Sequence, residues 1–105
     1  MAEPTKAPPG SEVLERQSTR TQLPRLYKVL LHNDDYTTME FVVQVLETVF
    51  LKHPAEAYRV MMQVHVEGHG VCGVYPLEIA ETKVATVHDL ARERGFPLRA
   101  SVEEE

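Results

Sequence analysis

Residues 27–43 read Tyr27-Lys28-Val29-Leu30-Leu31-His32-Asn33-Asp34-Asp35-Tyr36-Thr37-Thr38-Met39-Glu40-Phe41-Val42-Val43. Within this stretch the apolar residues change period. Tyr27, Val29 and Leu31 alternate with Lys28, Leu30 and His32, which predicts a strand with one strongly apolar face. The strand stops at Asn33-Asp34-Asp35, whose side chains favour turns by bonding nearby backbone N–H groups. Thr37 or Thr38 then caps a helix, and Glu40 suits its first turn through the helix dipole. Val42, Val45, Leu46 and Val49 continue at i, i+3, i+4 and i+7, the buried stripe of a helix ending near Leu51.

Downstream, Pro54 opens a second helix at a first helical position. Its stripe is Ala57, Val60, Met61 and Val64, and Gly68 is a C-terminal stop. Gly70 to Tyr75 reads as a short strand with Val71 and Tyr75 on one face and Cys72 and Val74 on the other. A third helix runs from about Pro76 to Arg94 on Ala80, Val84, Val87 and Ala91, with Gly95 ending it. Pro97 to Val102 makes a last strand with Leu98, Ala100 and Val102 on one side. The order β-α-α-β-α-β predicts an α+β fold: a two-layer domain of three amphipathic helices on a small three-stranded sheet. Strand order does not follow from pattern alone.

Upstream the composition shifts. Residues 1–24 hold Pro4, Pro8, Pro9 and Pro24, four of the seven prolines, and none of the seven aromatic residues. That composition predicts a flexible N-terminal extension over 1–24 and a folded core over 25–103. The whole chain has 105 residues, 11 basic and 16 acidic, for a net charge of −5. An acidic balance disfavours nucleic-acid binding, which needs a basic surface. One cysteine, Cys72, excludes an internal disulfide framework and a cysteine-rich zinc site, and suits a reducing compartment. No apolar run approaches the roughly 18–20 residues needed to span a bilayer, and no secretory leader is visible. The expectation is a cytoplasmic protein with no membrane or nucleic-acid partner.

Two features could carry chemistry. The polar run Asn33 to Thr38 reads as turn and cap chemistry, yet two adjacent acids exceed what a turn requires. The excess points to a cation: a metal, a basic side chain or an amine. His65, between Val64 and Val66, reads either as a satisfied boundary histidine or as a functional one. His65 and His69 lie four apart, but Gly68 breaks the helix between them, so a zinc pair is weak. Met39, Met61 and Met62 read as core filling or as a malleable pocket wall. Cys72 has no activating neighbour. A hydrolase built on Asp34, Asp35 and His65 would lack an evident nucleophile and oxyanion device. Neither a metal nor a cofactor is expected.

The quoted run closely resembles the signature of ClpS, the family of bacterial adaptors for N-degron substrates of the Clp protease. Three further blocks match in order: Met61-Met-Gln-Val-His65, Glu67-Gly-His-Gly-Val-Cys-Gly-Val-Tyr75 and Glu78-Ile-Ala-Glu-Thr-Lys-Val84, and Pro97-Leu98 closes the pattern. Thr38 and Ala100 depart mildly, standing where some members have proline and cysteine. The resemblance implies a fold like that of the ribosomal stalk protein C-terminal domain. It also implies a site for a free N-terminal residue whose side chain is Phe, Tyr, Trp or Leu. By the match, Asn33 supplies an amide oxygen to the α-ammonium, Asp34 its counter-charge and neutral His65 a ring nitrogen as acceptor. Asp35 and Thr37 shape the first peptide unit, and Met39, Val42, Met61, Val64 and Leu98 line the side-chain pocket. Glu78 and Lys83 match positions that dock a hexameric Clp AAA+ unfoldase, although read alone they are a solvated helix face. A stalk-like interaction domain without amine recognition is the alternative.

Overall fold

The computed structural model describes residues 25–105. The expected extension over residues 1–24 lies outside the described residues. Six elements follow in the expected order: β1 (Leu26–His32), α1 (Met39–Thr48), α2 (Pro54–Glu67), β2 (His69–Pro76), α3 (Leu77–Arg94) and β3 (Arg99–Glu104). The three strands form one antiparallel sheet in the order β2-β1-β3. β1 is central, with a strand on each side. Val29 and Leu31 are fully buried against the helices.

The helical stripes read from the sequence are the buried faces. Val42, Val45, Leu46 and Val49 of the α1 segment join Ala57, Val60, Met61 and Val64 of α2 in one apolar core. Ala80, Val87 and Ala91 close it from α3, with Val84 partly buried beside them. Phe41 and Phe96 add an aromatic pair with ring centroids 5.0 Å apart, close to the edge-tilted packing that such rings prefer.

Three features differ from the expectation. β3 runs from Arg99 to Glu104 rather than from Pro97 to Val102, so Leu98 precedes the strand. α1 ends at Thr48 rather than near Leu51. The Lys52 N–H donates to the Leu46 carbonyl at 3.0 Å, and Leu51 takes a left-handed φ of 56°. That turn ends the helix although the apolar period continues. The faces of β2 also differ. Val29 pairs with Gly73 and Leu30 with Val71, so Cys72 is an extra residue, a β-bulge. A bulge resets the alternation of side chains. Cys72 and Tyr75 therefore face the helices, and Val71 and Val74 face outward, each 37% exposed.

Candidate functional site

The exit of β1 shows how the sequence builds a polar site. Asp34 Oδ1 accepts from the Tyr36 N–H at 2.8 Å and the Thr37 N–H at 2.7 Å. Its Oδ2 accepts from the Thr37 hydroxyl at 2.7 Å. The turn is thus wrapped around one carboxylate. Partial burial pushes this carboxyl up, but the Thr37 hydroxyl and the Thr37 and Tyr36 N–H groups outweigh it and hold Asp34 below its ordinary 3.8. It stays ionised at neutral pH. Thr38 is the cap of α1, its hydroxyl accepting from the Phe41 N–H at 3.1 Å. Asn33 and Asp35 are exposed on either side of Asp34. The ion pairs among the described residues join Arg25 to Glu104, Arg59 to Glu56 and Arg92 to Asp89, and none neutralises Asp34 or Asp35.

His65 arrives from the other side. It lies exposed in the last turn of α2. Gly68 caps that helix with a left-handed φ of 95°, which costs glycine nothing. The Gly68 N–H donates to the Val64 carbonyl, and its own carbonyl accepts from the Asn33 N–H, both at 2.9 Å. One residue therefore ties the end of α2 to the exit of β1. Gly70 completes the junction. A Cβ there would sit 2.9 Å from Val64 Cγ2, so a larger residue would force the Val64 side chain or β2 to shift.

The apolar residues of the expected site belong mostly to the core. Val42, Met61, Val64 and Leu98 are buried at 7% exposure or less in one cluster, while Met39, the first residue of α1, is 44% exposed. Leu98 immediately precedes β3, whose first residue, Arg99, pairs with His32 at the end of β1. An apolar groove of about 340 Å³ opens at Met39 and Met61. Glu40, Val43 and Tyr58 also line it. Sequence reading missed these three, although Val43 stands four residues from Met39 and Tyr58 three from Met61, the spacing of helical neighbours.

Glu78 and Lys83 lie apart from this cluster on α3, where both line a groove of about 740 Å³ against Thr48 and Val49. The Lys83 ammonium donates to the Val49 carbonyl at 2.7 Å and stands 5.4 Å from the Tyr75 ring centre. Lys83 is thus half-buried and closes the end of the α1 segment as well as lining the groove. Cys72 is 1% exposed, and burial pushes its thiol up to about 12, which removes it as a nucleophile. Among the described residues no group of three or more His, Cys, Asp or Glu side chains could hold a metal ion. No helix of the described residues is long and apolar enough to cross a membrane.

Known proteins resemble this chain in sequence and in fold. The family described as "ATP-dependent Clp protease adaptor protein ClpS" matches residues 22–101. The ClpS adapter of Desulfatibacillum aliphaticivorans is 57% identical over 94 residues, 90% of each chain. That of Nitratidesulfovibrio vulgaris strain Miyazaki F is 62% identical over 81 residues, covering 77% of this chain and 81% of its own. Among solved structures, Agrobacterium tumefaciens ClpS2 bound to L-phenylalaninamide superposes with a TM-score of 0.76 at 49% identity, over 78% of this chain and 99% of that one. With its four motif blocks in order, its sheet order and a family match over most of its length, the chain belongs to the ClpS family of Clp protease adaptors.

Proposed function

We propose that the protein captures the free N-terminus of polypeptides beginning with Phe, Tyr, Trp or Leu and delivers them to a hexameric Clp AAA+ unfoldase. One observation carries this reading. A carboxylate held ionised by Thr37 and Tyr36 lies in the turn beside Asn33, whose N–H is bound to Gly68, the cap of the helix that carries exposed His65, and Met39 and Met61 line an apolar groove on the two helices. An N-terminal bulky residue has the same two parts, a cation with three donors and an apolar side chain. The related Agrobacterium protein bound to L-phenylalaninamide supports the pairing, since that molecule carries both.

The roles follow from the donor and acceptor chemistry. Asn33 offers its amide oxygen and His65, when neutral, a ring lone pair to the ammonium, while Asp34 supplies charge from behind its own turn. Asp35 and Thr37 border the first peptide unit. The apolar cluster takes the side chain, and Met39 is the flexible rim. Burying a Phe or Leu side chain contributes roughly 1.5–3 kcal/mol, and each charge-assisted hydrogen bond roughly 1.5–3 kcal/mol. After association costs this sum corresponds to affinity around micromolar. The adaptor cleaves nothing itself. Glu78 and the groove around Lys83 are the proposed contact with the unfoldase, in the cytoplasm.

Peptides that differ only in their first residue test the reading, with an N-acetylated Phe peptide as control. Binding of Phe, Tyr, Trp and Leu peptides, with loss on acetylation, is the expected result. Equal binding of the acetylated peptide would leave a hydrophobic interaction domain without amine recognition.

A further inference from the structure

We propose that His88 is a positioning residue for the N-terminal-residue pocket, acting through a hydrogen bond that pins the strand next to Leu98. The inference rests on the reading of Leu98 as a pocket wall. The Ala100 N–H donates to His88 Nε2 at 3.0 Å. Ala100 is the second residue of β3, an edge strand whose one sheet neighbour is β1. Its side chain is buried, and it lies opposite Leu31. Because the N–H is spent on His88, it is not a rung of the ladder to β1. Without the imidazole, this half-buried donor would have no partner from the sheet.

The donor is a backbone amide, so the roles are fixed. Nε2 must present a lone pair, the ring must be neutral, and its proton must reside on Nδ1. Protonation would set two donors face to face and release the strand. The groove around the ring, about 300 Å³, runs along Ala91, Phe96, Pro97 and Leu98, with Arg92 of α3 and Arg99 of β3 as its charged side chains. Arg92 is in turn paired with Asp89 on its own helix. Pro97 and Leu98 therefore sit in a segment held by the Phe96 N–H to Ala91 carbonyl bond, at 2.9 Å, on one side and by the Ala100 N–H to His88 bond on the other. Leu98 is positioned between these two attachments. Freeing the second lets Leu98 move, and the bound conformation becomes a fraction of the population, which lowers apparent affinity by that fraction.

The test compares the full chain with H88L, which keeps comparable bulk and removes the acceptor, and H88Q, whose amide oxygen stands at about the reach of Nε2. We expect H88L to bind a Phe-initiated peptide at least about fivefold more weakly, as if the competent state fell to roughly a fifth. H88Q should stay within about twofold of the parent. On an L98A background the H88L effect should vanish, because Leu98 transmits it. In NMR of the parent, the His88 ring should show the Nδ1–H tautomer, and the Ala100 amide nitrogen should show a coupling to Nε2 across the hydrogen bond. Parent-like binding by folded H88L, an equal loss in H88L and H88Q, or an Ala100 amide without that coupling would each overturn the proposal. If H88L does not fold, H88N, whose amide oxygen falls short of the Ala100 N–H, takes its place in the same comparison with H88Q. Failure of the amine-site reading is separate, since it shows as a parent indifferent to acetylation while the ring and amide signals still report the bond.

Discussion

Replacing Asp34 by asparagine separates the turn from the charge. Asparagine keeps one oxygen for the Tyr36 and Thr37 N–H groups, which Asp34 Oδ1 now serves at 2.8 and 2.7 Å. It loses the second oxygen, which accepts from the Thr37 hydroxyl. The stability cost is that of one weakened bond, about 0.5–1.5 kcal/mol, small against the roughly 5–15 kcal/mol of a folded domain. Binding changes more. A carboxylate about 4 Å from an ammonium contributes about 1 kcal/mol in water and about 4 kcal/mol at an effective dielectric near 20. Asp34 is half-buried at the surface, so a value of about 1–2.5 kcal/mol applies, or roughly 5- to 60-fold in affinity. Calorimetric titration of a Phe-initiated peptide at low and high salt reads both effects. Parent affinity should fall as salt rises, and the D34N variant should bind weakly with a flatter salt dependence. Binding by D34N within twofold of the parent would refute the role given to the charge.

Other consequences can be checked as directly. Met39→Ala removes the flexible rim and should admit Ile or Val at the first position, measured as a smaller Leu-to-Ile affinity ratio. Burial first, then Arg99 and His69, push His32 below its ordinary 6.5. The unfolded state therefore binds that proton more readily, so stability should be complete above about pH 6.5 and decline as pH falls through the lower folded value. His32→Gln should flatten that part of a urea-midpoint profile. Leu51→Gly relieves the left-handed backbone of an exposed side chain. Strain relief of roughly 1–2 kcal/mol less glycine's entropy of roughly 0.5–1 kcal/mol should raise Tm by a few degrees. Deleting residues 1–20 should leave peptide affinity unchanged, since the proposed site spans 33–98. It should abolish Clp-dependent degradation, read on the same sample.

Much of this was legible in the sequence, and the reasons differ by element. Helical stripes were legible because burial on one face imposes a period, and Ala57, Val60, Met61 and Val64 carry it without interruption. Asn33 to Thr38 announced a turn and a cap, because Asp and Thr side chains bond backbone locally. The faces of β2 were not legible. Whether Cys72 is an extra residue depends on how β1 pairs with it, a relation across the sheet that no period within β2 records. The end of α1 failed for a related reason: Val49 and Phe50 stay buried after the helix has stopped. At the candidate site the polar cluster was visible, but the Gly68 link between the end of α2 and the exit of β1 was not, because it is a backbone bond between distant segments that side-chain types do not record. Tyr58 escaped because the stripe reading follows buried positions, and it is 58% exposed.

The bulged cysteine has a practical consequence. Cys72 is the single thiol of the chain, and in the folded protein it is both covered and far from its thiolate form. Alkylating reagents consume thiolate, so at neutral pH the native molecule is silent to them. Each labelling event then records a moment when β2 has parted from the helices above it. The rate of modification, followed by mass, becomes a clock for opening of the core, read without a dye, a tag or a substitution. Cargo that ties α2 to the exit of β1 should slow that clock.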